Sequence, residues 1–405
     1  MTFRIAAVHP AVLGAFGLLA WAPTALAQGP LGGQFTVNTY SAYSVAPAVS
    51  SAPDGRFVVV WHGNGRDDFV SVQGRLYAGD GRPVGDQFRV NPVTVGQQVA
   101  ADVAMAPDGD FVSAWSDSQI GIQALRFSSV GQPVGGAIDL STSSASAPAL
   151  AVGAGGFVAV YRAGSNVSMR RFDNATGVLS GPETVSTLGP MDFVTPNVDM
   201  APGGGFIVVW NSDQSTGDDT SGSSVQARRY DVDGSPLGGQ FQVNLSTAGD
   251  QSRPDVAAAG NGDFIVAWQD ANGGTRPKAR LFSSDGTGLG GEIEVNGTGG
   301  DVSIDAAADG TFTVVWTQGA GSSGRTFTRG GVPFFGPFTV PSEPVNFDNV
   351  GVISHDDRGR FVVAWQSNLY SEFYRIAARR FTTTLFADDF ESGGLSSWTA
   401  VIETP

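Results

Sequence analysis

The chain contains no cysteine, which excludes disulfides, metal–thiolate sites and a cysteine nucleophile together. Histidine is nearly as scarce: apart from His9 in the leader there are only His62 and His355. Basic residues number 23 against 38 acidic ones, a formal net charge of −15. Without clustered Lys and Arg, the phosphate contacts that nucleic-acid binding requires are not available. No run of 18 or more apolar residues occurs, so no transmembrane helix is expected. Helical periodicity is absent, and so are the G-x-S-x-G elbow, the P-loop and H-E-x-x-H. Stability must come from packing.

The first 27 residues read apart from the rest. Arg4 supplies a positive start, residues 11–21 form a short apolar run, and Ala25-Leu26-Ala27 is a small-x-small cleavage site. This pattern predicts a cleaved export signal over residues 1–27, and hence a secreted, cell-surface or periplasmic protein. With no lipobox cysteine, a lipid anchor by that route is excluded.

What the sequence does hold is repetition. FVVVW at residues 57–61 returns as FVSAW, FVAVY, FIVVW, FIVAW, FTVVW and FVVAW. The terminal aromatics are Trp61, Trp115, Tyr161, Trp210, Trp268, Trp316 and Trp365, at intervals of 54, 46, 49, 58, 48 and 49. Such spacing marks one structural unit per repeat, with loops of variable length. Each unit contains four strand-like segments, A to D, separated by Gly, Asp, Asn and Pro turns. Strand B is apolar on both faces and so must be covered on both. Strand A uses small residues, as in AADVAMA and SIDAAA, which suits the place where sheets converge. Small inside and large outside follows the taper of a closed radial array. The fold expected is all-β: a seven-bladed β-propeller with four antiparallel strands per blade over residues 28–384.

The count also closes. The last repeat ends in its strand C, IAARRFT, with no good strand D after it. A spare strand D, LGGQFTVN at residues 31–38, stands at the other end and matches residues 237–244 at seven of eight positions. The N-terminal strand is therefore expected to complete the last blade and remove its open edge. The third and sixth repeats are degenerate. The third has Tyr161 and a GAGG turn, and the sixth offers only GRTFTRGGVPFFG for strand C and its turn.

With strands and turns placed, residues 31–382 resemble the seven-bladed propellers of exported bacterial proteins whose role is unassigned. The Gly-His and Trp-Asp marks of WD40 repeats, the paired glycines of kelch repeats and the Asp-box of sialidases are not matched, so no family activity carries over. Residues 385–405 lie outside the repeat. Their FESGGLSSW resembles the F-E-S-G...W tails of exported bacterial proteins and the opening strand of some jelly-roll modules. A packed annex, held by Phe390 and Trp398, is the simpler expectation.

Candidate chemistry is confined to carboxylates. His62 and His355 are expected at opposite faces of the disc, too far apart to share a metal. Thirteen or eleven residues before the strand B aromatic stand Asp102, Asp199, Asp255 and Asp305, with Ser50, Ser303 and Ser354, whereas the twelfth position is apolar throughout. These four aspartates border the axis. Two roles are open to them: hydrogen bonds to the backbone of adjacent blades, or a shared calcium ion in the central channel. The loops between strands B and C share one face with those between D and A. Residues 211–224 form the longest, and Asp67, Asp68, Asp213, Asp218 and Asp219 are the candidate ligand-binding residues there. The 211–224 loop lacks apolar residues and is expected to add little packing. Regular DGSPLGG-type turns on the opposite face read as structure. Four N-x-S/T sequons, at Asn166, Asn174, Asn244 and Asn296, matter only in a glycosylating host.

The function expected is binding of a glycan, peptide or protein through the loop face, without catalysis. Two alternatives stay open: a carbohydrate-active or other hydrolase using the loop carboxylates, and a structural piece of a surface assembly.

Overall fold

Strand B sets the architecture. In blade one it runs Phe57–Gly63, and every side chain from Phe57 to Trp61 is at most 1% exposed. The structure, a computed structural model, describes residues 29–39, 43–64, 70–141, 145–187, 195–342, 351–368 and 374–383. Within them the chain forms seven antiparallel sheets, one for each repeat. The inner strands are Ser44–Ser51, Gln98–Met105, Ala145–Gly153, Asn197–Met200, Gln251–Ala258, Val302–Ala306 and Val352–His355. Each lies against the inner strand of the next blade, and the seventh lies against the first. The ring is closed.

The N-terminus fastens it as expected. Blade seven comprises Val352–His355, Arg360–Ser367 and Arg375–Thr382, and its outer edge is taken by Gly29–Pro30 and Phe35–Thr36. Asn38 Oδ1 accepts the Ile376 N–H at 2.9 Å, as Asn244 and Asn91 do for Val225 and Val72 in their own blades. The spare strand therefore reproduces the local bonding of a normal strand D.

The core is divided among the junctions between blades. Seven apolar clusters fill the seven junctions; one of them unites Val37, Phe57, Trp61 and Tyr77 with Val362 and Ile376 across the closure. A blade cannot bury its faces alone, so stability is a property of the ring.

Two repeated devices went unnoticed in the sequence. The phenylalanine at the start of strand B stacks on the last aromatic of strand C in all seven blades, with ring centres 4.7–5.2 Å apart. Two residues before that aromatic stands Arg75, Arg170, Arg228, Arg280, Arg325 or Arg379. Each reaches the strand D carbonyl of the preceding blade, on Val37, Leu140, Val185, Val243, Val295 and Val340 respectively. Five of these guanidinium groups also lie 5.0–5.7 Å from the ring centre of their own aromatic. Charge-assisted hydrogen bonds of this kind contribute about 1.5–3 kcal/mol each, and only blade two, with Leu125, lacks one.

Both degenerate repeats are complete blades. Strand C of blade six is Gly321–Phe327, in continuous register with Phe312–Gln318, so the poor pattern hid an ordinary strand. In blade three the A–B turn is a tight one, with Gly153 opposite Gly156, one residue shorter than its counterparts. That shift moves Ala149 to the side facing blade four and puts Leu150 in the position expected for Ala149.

Candidate functional site

The open edge of each blade is its inner strand, whose outward N–H groups need acceptors. The residues of the preceding blade supply them. Asp102 Oδ2 accepts Leu150 N–H at 2.7 Å, Asp199 Oδ2 accepts Ala258 at 2.7 Å, Asp255 Oδ2 accepts Ile304 at 2.8 Å, and Asp305 Oδ2 accepts His355 at 2.6 Å. Ser50 takes Met105 N–H at 3.0 Å and Ser354 takes Ser51 at 2.9 Å. Six of the seven junctions are clasped in this way. Between blades three and four the equivalent positions are Ala149 and Ala151, which have no oxygen to offer.

The second carboxylate oxygen is engaged too. Asp199, Asp255 and Asp305 accept the N–H of their own next residue at 2.8–2.9 Å, and Asp255 also accepts Asn197 Nδ2 at 2.6 Å. Hydrogen bonding to neighbouring blades is thus the role the geometry displays for these four residues. Among the described residues, no three His, Asp or Glu side chains converge closely enough to hold a metal ion.

Enclosure among blades shifts the titration of all four. Burial pushes Asp102 up to about 7, Asp199 and Asp255 to about 6, and Asp305 to about 8, against the opposing pull of the backbone N–H donors. Mutual repulsion adds to it, since Asp255 raises the other three. Their side chains still open partly on to the channel, whose solvent tempers the shifts without reversing them.

The channel itself is a cavity of about 1030 Å³ running along the inner strands. On the loop face its mouth is lined by Thr195, Asn211 and Asp213 of blade four, Asp250 and Arg253 of blade five and Asp301 of blade six. Asp250 is fixed there by Ser223 N–H at 3.0 Å, and Arg253 is ion-paired with Asp301. The inner strands of blades one, two, three and five enter the mouth through a bulge. There Ala46, Ala100, Ala147 and Arg253 hold φ of 49–52°. Positive φ in a residue with a Cβ is costly, and such positions concentrate where a surface is shaped for use.

The candidate loop residues separate. Asp213 is exposed at the mouth and Asp218 is exposed away from it. Asp219 is 5% exposed and structural: its Oδ2 accepts Asn244 Nδ2 at 2.8 Å and its Oδ1 accepts Ser221 N–H at 3.1 Å. Ser215 bonds Gln242 and Thr216 Oγ1 bonds Gln226 at 2.9 Å. The long loop is therefore folded on to its own blade by polar contacts, contrary to the expectation that it adds little packing. Apolar content was the wrong measure. Asp67 and Asp68 lie outside the described residues, as do residues 1–27 and 385–405.

The histidines occupy opposite ends of their blades, as expected. His62 pairs with Val72 near the loop face, while His355 sits opposite Phe361 at the turn-face end of its strand. His355 is buried, stacks on Phe361 at 4.9 Å, and burial pushes its pKa down to about 3. It fills the place held by Met105 and Met200 in other blades. It is a neutral core residue.

One cluster invites a catalytic reading and does not sustain it. Lys278, the only lysine in the chain, lies 2.7 Å from Ser246 Oγ. A serine–lysine pair needs a neutral amine to take the proton. Lys278 is also 2.5 Å from Asp270 and 2.8 Å from Glu292, and despite burial its pKa is raised by bonds to those carboxylates. The ammonium stays charged. Lys278 and Glu292 replace, in blade five, the glutamine pairs Gln73–Gln87 and Gln226–Gln240.

No family model and no curated protein matches this chain. Solved structures do. A protein of unknown function from Dyadobacter fermentans DSM 18053 superposes with a TM-score of 0.56 at 12% identity, over 86% of this chain and 98% of that one. The WD40 domain of Toxoplasma gondii coronin gives 0.53 at 8% identity, over 90% of each chain. The propeller domain of the Trilobed protease from Pyrococcus furiosus, described as having an open velcro topology, gives 0.51 at 8%, over 86% and 100%. At these identities the likeness extends to the fold alone.

Proposed function

We propose that this chain is an exported, non-enzymatic propeller that binds a glycan, peptide or protein at the loop-face mouth of its channel. The observation that carries the reading is the polar arc of that mouth across blades four to six, where Arg253, at positive φ, stands among hydrogen-bonding side chains that contribute little to the core. Of the loop carboxylates a hydrolase would draw on, Asp219 is tied up by Asn244 and Ser221, and Asp218 lies away from the mouth that Asp213 lines. A screen of glycans and peptides with product detection tests this. Binding without turnover is expected, weakened at least about tenfold by Asp213→Asn combined with Arg253→Ala, because each lost hydrogen bond to a charged group is worth about 1.5–3 kcal/mol. Product formation, or binding indifferent to both substitutions, would refute it.

A calcium ion among Asp102, Asp199, Asp255 and Asp305 is a separate proposal. It would compete with backbone donors for the carboxylate lone pairs. If the clasp role is the whole role, the melting temperature is the same in calcium and in chelator. A calcium-dependent rise of several degrees would instead seat an ion there.

A further inference from the structure

The turn face is less plain than its regular loops suggest. Nine of the thirteen exposed large apolar side chains, from Val84 to Phe334, lie in or beside the C–D turns, so apolar surface gathers on this face. A cleft opens on it beside blade three. The shortened Gly153–Gly156 turn leaves open space above Gly155, and Gly203 in blade four has nothing above it either. Between the two blades lies a cleft of about 520 Å³, lined by Phe157, Phe172, Val178, Met200, Phe206 and Val232. Its floor holds the stacked Phe157–Phe172 pair at 5.2 Å, and its rim holds Val178 and Val232, 59% and 70% exposed. That volume falls in the range of ligand pockets, and stacked rings beside a methionine favour an aromatic guest.

We propose that the guest is this chain's own C-terminal segment, residues 384–405, with Trp398 seated in the cleft. The exit point supports it. Strand C of blade seven ends with Thr382 opposite Arg360, and Thr383 donates from N and Oγ1 to the Gly359 carbonyl at 2.8 and 3.0 Å. The chain therefore leaves on the turn face, and the residues beyond it lie outside the described structure. Reach is sufficient. Four strands spaced ~4.8 Å apart give a blade roughly 15 Å of width, so blade seven to blade three across the axis is about 30–40 Å. The fifteen residues from Thr383 to Trp398 span up to about 50 Å when extended. The segment carries Leu385, Phe386, Phe390, Leu395 and Trp398, apolar side chains matched to this face rather than to the polar loop face.

The test uses the mature full-length chain with a photo-crosslinking phenylalanine analogue at position 398, irradiated at low micromolar concentration. Peptide mapping should find crosslinks within one chain to residues 153–157, 200–206 or 230–233. Val178→Asp with Val232→Asp, at exposed positions, should reduce their yield at least tenfold and leave the melting temperature unchanged. Crosslinks between two chains, crosslinks elsewhere on the disc, or no crosslink at all would each overturn the proposal. Loss of crosslinking together with a large fall in melting temperature counts against it too, since it would reflect damage to the blade.

Discussion

Deleting residues 28–40 should lower the melting temperature by about 10 °C or leave the protein aggregated. The loss is large because many contacts go at once. Val37 is fully buried in the closing junction, and burial of such a side chain is worth about 1.5–3 kcal/mol. Phe35 packs on Tyr77 at 5.4 Å. The backbone pairing to Arg375–Thr382 disappears, together with Asn38 to Ile376 and Arg75 to Val37. Two clasps at the rim disappear as well: Ser342 N–H to Gln34 at 2.9 Å, and Thr39 N–H to Gln87 at 2.7 Å. At about 1 kcal/mol per hydrogen bond the total is on the order of 5–10 kcal/mol, which for a domain of this size is roughly 10 °C. An uncovered strand edge then invites association. Differential scanning calorimetry of the truncated chain decides the matter; an unchanged melting temperature would mean that the ring does not depend on this closure.

Raising the pH from 5.5 to 8.5 should lower the melting temperature by several degrees. Asp102, Asp199, Asp255 and Asp305 have folded-state pKa values above the ordinary 3.8, at about 7, 6, 6 and 8. The native state therefore holds protons that the unfolded chain has released. Their stabilising contribution is fully present below pH 3.8 and is lost as pH rises through 6 to 8. Each tenfold gain in proton affinity that survives channel solvent is worth about 1.4 kcal/mol. Below pH 4 the trend reverses. Asp233 and Asp285, held down to about 2 by Ser235 and Ser283 hydrogen bonds, contribute stability above 3.8 that is lost as pH falls through 2. Asp305→Asn, which removes the carboxyl with the highest pKa of the four, should flatten the alkaline limb. A variant as pH-sensitive as the parent would locate the effect elsewhere.

Strand B and the closing strand were legible because each repeats a short apolar pattern, and period-two alternation fixes which face is covered. The inner aspartates were legible as a one-sided set. Their partners were not, because a backbone N–H carries no residue identity and lies in the neighbouring repeat. The Arg ladder was visible in principle: ARRY, ARRF, ARLF, GRTF and GRLY all place Arg two before the aromatic. Its meaning needed the preceding blade's carbonyl. Polar packing of the 211–224 loop, through Asp219 and Asn244, depends on a contact across 25 positions that no local pattern announces. The cleft beside blade three follows from a single missing turn residue, and only the register of Gly153 against Gly156 makes that visible.

Binding at the loop-face mouth is tested most directly by hydrogen exchange, measured with and without a glycan or peptide found in the screen. Protection is predicted in residues 195–197, 211–213, 250–253 and 301–302, which lie at the mouth. Protection confined to the turns at residues 52–56, 106–110, 153–156 and 201–205, on the opposite face, would contradict it.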